Sequence, residues 1–223
     1  MPSTRFKASS WLVASLASGC AMVATAANSD GPSTARAPNA SGTEPTATAA
    51  GPPSSASAVA PATPWPVREG TYTIRDFRFG TGEVLPELRL GYLTLGTPRT
   101  DAQGRTTNAV LLLHGTGGDR YSLLNPLFAD VLFGPGQPLD APEYFLIFPD
   151  DIGHGRSSKP SDGLRAKFPR YDYDDMVRSQ HAMLVDGLKV NRLRLILGTS
   201  MGCMQSFVWG TTYPGFADAL MPL

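Results

Sequence analysis

The sequence predicts an α/β fold with a mostly parallel central β-sheet and flanking helices. Three short runs of apolar residues carry this prediction, at residues 109–113, 144–148 and 192–197. Each run resembles a central strand of a parallel sheet, which is apolar on both faces because helices cover both. A helical pattern lies between the second and third runs, and the order strand–helix–strand is typical of parallel pairing. A chain of 223 residues is long enough for one such domain.

Residues 1–27 have the layout of a signal peptide. Arg5 and Lys7 give a positive start, residues 11–23 are apolar and small, and Ala-Thr-Ala at residues 24–26 fits a cleavage site. The apolar stretch is too short and too rich in alanine and serine for a membrane span. We therefore expect the protein to be exported, either to the periplasm or as a secreted protein.

A second interpretation of this segment stays open. Residues 17–20, Ala-Ser-Gly-Cys, resemble a bacterial lipoprotein box, in which Cys20 would carry a lipid anchor and become the mature N-terminus. Either form of processing leaves Cys203 as the only free cysteine of the mature chain, so no intrachain disulfide is expected. We interpret Cys203 as a small apolar residue rather than a catalytic thiol.

Residues 28–64 are mostly alanine, proline, serine, threonine and glycine, and Val59 is their only large apolar residue. Such a segment cannot bury enough apolar surface to offset the entropy lost on ordering, so it is predicted to be a disordered linker. The folded domain is expected over residues 65–223. The whole chain has 19 basic and 19 acidic residues, and this balance does not suggest a nucleic-acid partner. No motif indicates a metal or an organic cofactor.

Two alternating stretches open the predicted domain. Residues 72–79 and 85–96 alternate large apolar and polar side chains, and Gly-Thr-Gly at residues 80–82 stands between them. Alternation with a period of two on both sides of a glycine-rich turn predicts an antiparallel hairpin.

A helix is predicted between the second and third apolar runs. Asp174 and Asp175 supply negative charge for its first turn. The residues at i, i+4, i+7 and i+11 then share one helical face. They are Val177, His181, Leu184 and Leu188. We expect His181 to be a core or subsurface histidine on this face.

The third apolar run ends in Gly-Thr-Ser-Met-Gly at residues 198–202 and leads into a predicted helix over about residues 203–211. A serine in a sharp strand-to-helix turn takes a strained backbone conformation, and the residues two before and two after it must be small. Such a turn lifts the Ser200 hydroxyl above the sheet edge and aims the backbone N–H of Met201 at a developing oxyanion. The pattern predicts that Ser200 is a nucleophile.

Two further loops follow strands at the same sheet edge. Residues 111–119, LLLHGTGGD, turn on glycines, and the backbone N–H of Thr116 is the predicted second oxyanion donor. Residues 148–160, FPDDIGHGRSSKP, contain Asp150, which we expect to shape the loop. We expect His114 and His154 to hold these loops rather than to act as bases.

These three elements, in this order, resemble those of the α/β-hydrolase fold, and within it the homoserine O-acetyltransferase-like branch. The resemblance covers about residues 70–223. It is carried by LRLGYLTLGTP, NAVLLLHGTGGD, DMVRSQ, and GTSMGCMQ with a later YP. It implies acyl-enzyme chemistry on a small acyl or ester substrate, with Ser200 as nucleophile and the N–H groups of Thr116 and Met201 as the oxyanion hole.

Three departures from that branch favour hydrolysis over acyl transfer. Residues 153–160, GHGRSSKP, are more like the loop of ordinary esterases than the GSTGP-like loop of the acyltransferases. Cys203 replaces the last glycine of the usual Ser-Met-Gly-Gly, and an exported chain has no obvious source of acetyl-CoA. The sequence therefore predicts a serine hydrolase. An acyltransferase and a non-catalytic scaffold remain as alternatives.

No histidine follows Ser200. The fold's order along the chain is nucleophile, acid, histidine, and residues 201–223 contain only Asp218 as a carboxylate. Asp218 comes just before a predicted sixth strand, at the wrong end of it to be the triad acid. We therefore expect residues 65–223 to be the N-terminal part of a larger hydrolase domain, truncated after the elbow and the start of this strand, and inactive alone.

Overall fold

The computed structural model describes residues 65–223, so the predicted signal peptide, the Cys20 lipid anchor and the linker lie outside the described residues. The strands in this part are β1 (Arg68–Arg78), β2 (Val84–Leu95), β3 (Ala109–Leu113), β4 (Phe145–Pro149), β5 (Leu195–Gly198) and β6 (Leu220–Pro222). The α-helices are α1 (Pro126–Leu132), α2 (Tyr173–Ala182) and α3 (Met201–Thr212). Strands and helices alternate from β3 onward, as the sequence predicts.

The described strands form one sheet in the order β1-β2-β4-β3-β5-β6. β1 and β2 make the predicted antiparallel hairpin, and β2 also pairs antiparallel with β4. The other pairs, β3 with β4, β3 with β5 and β5 with β6, are parallel. The predicted mostly parallel sheet is thereby confirmed. Parallel pairing brings the C-terminal ends of β3, β4 and β5 to one edge, where the predicted loops meet.

Side chains of β3 alternate between two apolar layers. Leu111 and Leu113 pack into the cluster that includes Val177 of α2 and Trp209 of α3. Val110 and Leu112 belong to a second cluster, which includes Ala129 of α1. Every residue of β3 and β4 is buried. Helices therefore cover both faces of the central strands, which explains why these strands are apolar throughout.

The third predicted strand begins later than expected. The predicted run starts at residue 192, whereas the β5 ladder starts at Leu195. The Arg192 and Arg194 side chains bind the Asp218 carboxylate instead, at 2.7 and 3.0 Å. Between them, Leu193 makes only an isolated bridge to Ala217. These contacts fix the chain ahead of the strand, at the sheet edge opposite the loops.

The predicted helix on the crossover is confirmed for its first part. Asp172 caps α2: its carboxylate accepts the Asp175 N–H, and the Asp175 carboxylate accepts the Asp172 N–H. The α-helix ends at Ala182, and Met183–Gly187 form a π-helical turn instead of a continued α-helix. The predicted face is nevertheless kept, because Val177 and Leu184 lie in one apolar cluster and Leu188 packs against it.

His181 lies where the sequence predicts, just below the surface. Its ring stacks on the Tyr213 ring, with centroids 3.9 Å apart and planes 5° from parallel. Trp209 and Phe216 complete the aromatic cluster around it. Burial in this cluster lowers the pKa of His181.

β6 is the outer strand of the described sheet next to β5. Leu220, Met221 and Leu223 are 38%, 45% and 53% exposed, although their neighbours on β5 are largely buried. Among residues 65–223, no helix has the length and apolar character that crossing a membrane requires.

Candidate active site

Ser200 directly precedes α3 in the two-residue turn after β5, in a strained backbone conformation. Its φ is 53° and its ψ is −109°, a combination that a residue with a Cβ rarely adopts. Conformations of this kind cost about 1–3 kcal/mol and persist only where the surrounding structure imposes them. Ser200 is exposed, whereas Met201 and Gly202 directly after it are buried. The turn therefore presents the serine hydroxyl outward from a buried support.

Two glycines make this turn possible. A Cβ on Gly198 would lie 2.1 Å from the Gly202 carbonyl oxygen. A Cβ on Gly202 would lie 2.5 Å from the Leu113 carbonyl oxygen. Both distances are far below van der Waals contact, so the start of α3 approaches β3 and β5 more closely than any side chain allows. The predicted need for small residues on both sides of Ser200 is confirmed.

The loop after β3 lies directly against the serine. A Cβ built on Gly115 would be 3.2 Å from the Cβ of Ser200. Within residues 65–223, no hydrogen-bond acceptor is found for the backbone N–H of Thr116 or for that of Met201. Two donors without acceptors therefore lie in the segments next to an exposed hydroxyl, and an oxyanion hole needs free donors of this kind. The catalytic roles of Ser200, Thr116 and Met201 stay predictions.

Asp150 shapes the two loops beside the serine, as predicted. Its buried carboxylate accepts the backbone N–H of Arg120 at 2.7 Å and that of Arg156 at 2.7 Å. It also forms an ion pair with the Arg120 guanidinium at 2.6 Å. Glu69 binds Arg120 and Arg156 from the other side, at 3.0 and 3.1 Å. The role of Glu69 could not be predicted from the sequence, because Glu69 lies 51 residues before Arg120 on a different element.

None of the chain's three histidines contacts Ser200 within the described residues. The buried His114 ring lies 2.8 Å from the Gly115 carbonyl oxygen through Nδ1, and His154 Nδ1 lies 3.2 Å from the Ile152 carbonyl oxygen. Both histidines therefore hold loops, as predicted, and His181 is held by stacking. Asp218 pairs with arginines at the far end of β5, which agrees with its exclusion as the triad acid.

Sequence reasoning missed a buried polar cluster beneath the site, formed by Asp151, Gln180 and Gln205. All three side chains are at most 1% exposed and hydrogen-bond one another. A signal was available for Gln205: it lies four residues after Met201 and four before Trp209, both buried, so its helical position is a core position. An amide at such a position needs buried partners.

No metal site is found in the described part of the chain, where no three His, Cys, Asp or Glu side chains are grouped to hold an ion. Cys203 is partly exposed in the first turn of α3 and forms no disulfide.

Comparison with known proteins identifies the architecture. The family model for the alpha/beta hydrolase fold matches residues 108–221. A probable acyltransferase from Methanothermobacter thermautotrophicus is 34% identical over 153 residues, covering 68% of this chain and 46% of that protein. A homoserine O-acetyltransferase from Pelobacter propionicus is 35% identical over 164 residues, covering 66% of this chain and 43% of that protein.

Among solved structures, an acetylester hydrolase from Corynebacterium glutamicum superimposes with a TM-score of 0.60 and 26% identity. The match covers 70% of this chain and 43% of that one. The chain thus spans less than half the length of each of these three proteins. Similarity to acyltransferases in sequence and to an esterase in structure agrees with the predicted resemblance.

Proposed function

The chain belongs to the α/β-hydrolase fold family, and on that basis we propose that the protein is a serine hydrolase that forms an acyl-enzyme at Ser200. The observation that carries the proposal is a strained, exposed Ser200 that directly precedes Met201 and lies against the loop that carries Thr116. The N–H groups of both neighbours have no acceptor within residues 65–223. Strain at a single exposed serine has a cost in stability, and such strain clusters at sites where geometry serves chemistry.

The reaction has two steps. Ser200 Oγ bonds to the carbonyl carbon of an ester, the bond to the alkoxy oxygen breaks, and the alcohol leaves with the serine proton. Water then attacks the acyl-enzyme, which restores the serine and releases the acid. In both steps negative charge develops on the carbonyl oxygen, which the N–H groups of Thr116 and Met201 would stabilise. Losing one such donor typically costs about 10²–10³ in turnover.

The proposal assigns no general base within residues 65–223, because His114, His154 and His181 are each engaged away from Ser200. A serine without a base in contact is a weak nucleophile. We therefore expect slow acylation of the 223-residue chain. Attack by water also needs a base, so the acyl-enzyme should accumulate rather than turn over.

This expectation gives a direct test. The chain is incubated with p-nitrophenyl acetate, digested, and searched by mass spectrometry for acetylated serine. We expect the acetyl group on the peptide that contains Ser200. Ser161→Ala, at an exposed serine in a short 3-10 helical turn, serves as the matched control and should leave acetylation unchanged. Acetylation spread evenly over exposed serines, or absent from Ser200, would refute the proposal.

Acyl transfer is the second candidate, and it is favoured by the names of the curated relatives. The esterase-like loop at residues 153–160 and the predicted export signal support hydrolysis instead. The slow decay of the accumulated acetyl-enzyme separates the two: homoserine is added, and acetate and O-acetylhomoserine are measured over that decay. We expect acetate to predominate at millimolar homoserine. Predominant O-acetylhomoserine would reverse the order of the two candidates.

The proposed role of Thr116 rests on its backbone, and this can be tested separately. Its side chain is exposed and has no part in the proposed catalytic geometry. We expect Thr116→Ala to change the rate of Ser200 acetylation by less than about threefold, because the N–H is retained. A loss of tenfold or more would show that the hydroxyl takes part, and would contradict an oxyanion hole built from backbone groups alone.

A further inference from the structure

Asp151, two residues after the end of β4, is a fully buried carboxylate that no arginine or lysine neutralises within the described residues. Its side chain is 1% exposed. The adjacent Asp150, in contrast, forms an ion pair with an arginine. Burying a carboxylate is costly even where it has partners, and a well-packed apolar residue often stabilises a core as well or better. The presence of Asp151 under the candidate active site therefore calls for a specific role.

The hydrogen bonds around Asp151 have a fixed direction. The Trp209 indole N–H can only donate, and it donates to Gln180 Oε1 at 2.8 Å. The Gln180 amide nitrogen must then face Asp151 Oδ1 at 2.5 Å and Gln205 Oε1 at 2.6 Å. The Gln205 amide nitrogen in turn donates to Asp151 Oδ2 at 2.7 Å. Both amide nitrogens donate to the Asp151 carboxylate, so the carboxylate and the Trp209 indole together set the orientation of both amides.

The same residue also holds His114. The Asp151 backbone N–H lies 3.3 Å from His114 Nε2, and the Asp151 carboxylate lies 3.5 Å from that nitrogen. In the neutral ring Nε2 is then the acceptor, and the proton is on Nδ1, which donates to the Gly115 carbonyl at 2.8 Å. Burial raises the pKa of Asp151, and the nearby His114 opposes that rise.

The Gly115 carbonyl controls the predicted oxyanion donor. It accepts hydrogen bonds from His114 Nδ1 and from the Gly118 N–H, at 2.8 and 3.0 Å, so its direction is fixed. A trans peptide is planar, and its C=O and N–H point in opposite directions. The Thr116 N–H belongs to the same peptide as the Gly115 carbonyl, so it must point away from His114. It therefore points out of the turn formed by residues 115–118, whose first residue lies against Ser200.

Asp151 thus contacts the supports of both donors. Through His114 it fixes the peptide that carries the Thr116 N–H, and through Gln205 it fixes α3, whose first residue is Met201. We propose that Asp151 is a positioning residue, which holds the two oxyanion N–H groups in a fixed relation to each other through His114 and Gln205. This inference rests on the proposed acyl chemistry at Ser200.

Electrostatics alone predicts the opposite effect. A buried negative charge below the site would oppose an oxyanion, so a variant that removes only the charge should acylate faster. Positioning predicts slower acylation, because displacements of about 1 Å in an active site cost as much as 10² in rate. Asp151→Asn separates the two, since it removes the charge and keeps the size of the side chain.

The structure also predicts which second change restores the cluster. In Asp151→Asn the introduced amide nitrogen, at the position of Oδ2, faces the Gln205 amide nitrogen, so two donors meet. In Gln205→Glu a carboxylate is introduced, and two carboxylates meet. In the double variant Asp151→Asn/Gln205→Glu, the introduced amide donates to the introduced carboxylate, and the Gln180 donors keep their acceptors. The buried charge is retained but moved by one residue.

The experiment measures the rate at which a fluorophosphonate labels Ser200, together with a thermal melt, for the native chain and these variants. We expect each single variant to label about tenfold to a hundredfold more slowly, and the double variant to return to within about threefold of the native rate. Asp175→Asn is the control: Asp175 is a buried carboxylate that caps α2 away from the site, so its loss should lower Tm without changing the labelling rate of the folded chain.

Each outcome decides the inference. Native or faster labelling by folded Asp151→Asn overturns it, and so does a double variant that fails to fold or labels no faster than the single variants. Where a single variant does not fold, the double variant alone gives the answer. The indole N–H signal of Trp209 in an NMR spectrum provides an independent reading: it should move in the single variants and return in the double variant. If the fluorophosphonate never labels Ser200 of the native chain, the proposed function fails. The Trp209 indole signal still tests the hydrogen bonds of the Asp151 cluster in that case.

Discussion

Ser200→Ala is expected to reduce fluorophosphonate labelling of the chain to background, a loss of at least about a hundredfold. Ser200 is exposed, directly precedes Met201 and lies against the loop that carries Thr116, and removal of a nucleophilic serine is among the largest single losses known in enzymes. The measurement is the labelling rate by intact-protein mass spectrometry, with Ser161→Ala as the control. Labelling that persists in Ser200→Ala would show that another residue reacts.

The thermal stability of two variants at position 200 tests independently whether the backbone of Ser200 is strained. Alanine has a Cβ like serine, so Ser200→Ala keeps the strain of φ 53° and should leave Tm nearly unchanged. Ser200→Gly removes that strain, about 1–3 kcal/mol, and gives back about 0.5–1 kcal/mol through the larger entropy of the unfolded chain. We expect Ser200→Gly to raise Tm by about 3 °C while it abolishes labelling. A lower Tm for Ser200→Gly would mean that the turn is not strained.

The fold could be predicted from the sequence largely because its signals are local. Residues 109–113 and 144–148 are apolar on both faces, and only a sheet covered on both sides buries such strands. The boundaries were less predictable. Leu193 belongs to the apolar run, but the arginines on either side of it form ion pairs with Asp218, which lies 24 and 26 residues further along the chain. No local pattern predicts a contact over that distance in sequence.

The candidate site also has features that a local motif predicts and features that depend on contacts between distant parts of the chain. The glycines around Ser200 follow from the shape of one turn, so a short motif predicts them. The positions of Asp151 and Glu69 follow from which loops meet in space. Asp150 and Asp151 are adjacent and chemically identical in the sequence, yet one neutralises a buried arginine and the other accepts two buried amides. Only the packing of α2 and α3 on the sheet distinguishes them.

The geometry of the elbow implies a further large effect, this time on stability. Gly202→Ala is expected to destabilise the chain by about 3 kcal/mol or more, a loss of about 6–12 °C in Tm. The new Cβ would lie 2.5 Å from the Leu113 carbonyl oxygen and 2.7 Å from the Leu113 Cβ. Both atoms belong to β3, which is held by strands on each side, so neither can move without disturbing the centre of the sheet.

Gly210→Ala is the matched control, because it makes the same substitution two turns later in α3. There the new Cβ would meet only the end of the Leu220 side chain, at 2.8 Å, on the exposed outer strand. That side chain can turn away, and replacing glycine by alanine within a helix contributes about 1 kcal/mol of stability. We expect Gly210→Ala to leave Tm unchanged or to raise it slightly. Equal Tm values for the two variants would mean that α3 does not pack against β3 as closely as the position of Gly202 implies. The turn at Ser200 would then be held by other contacts.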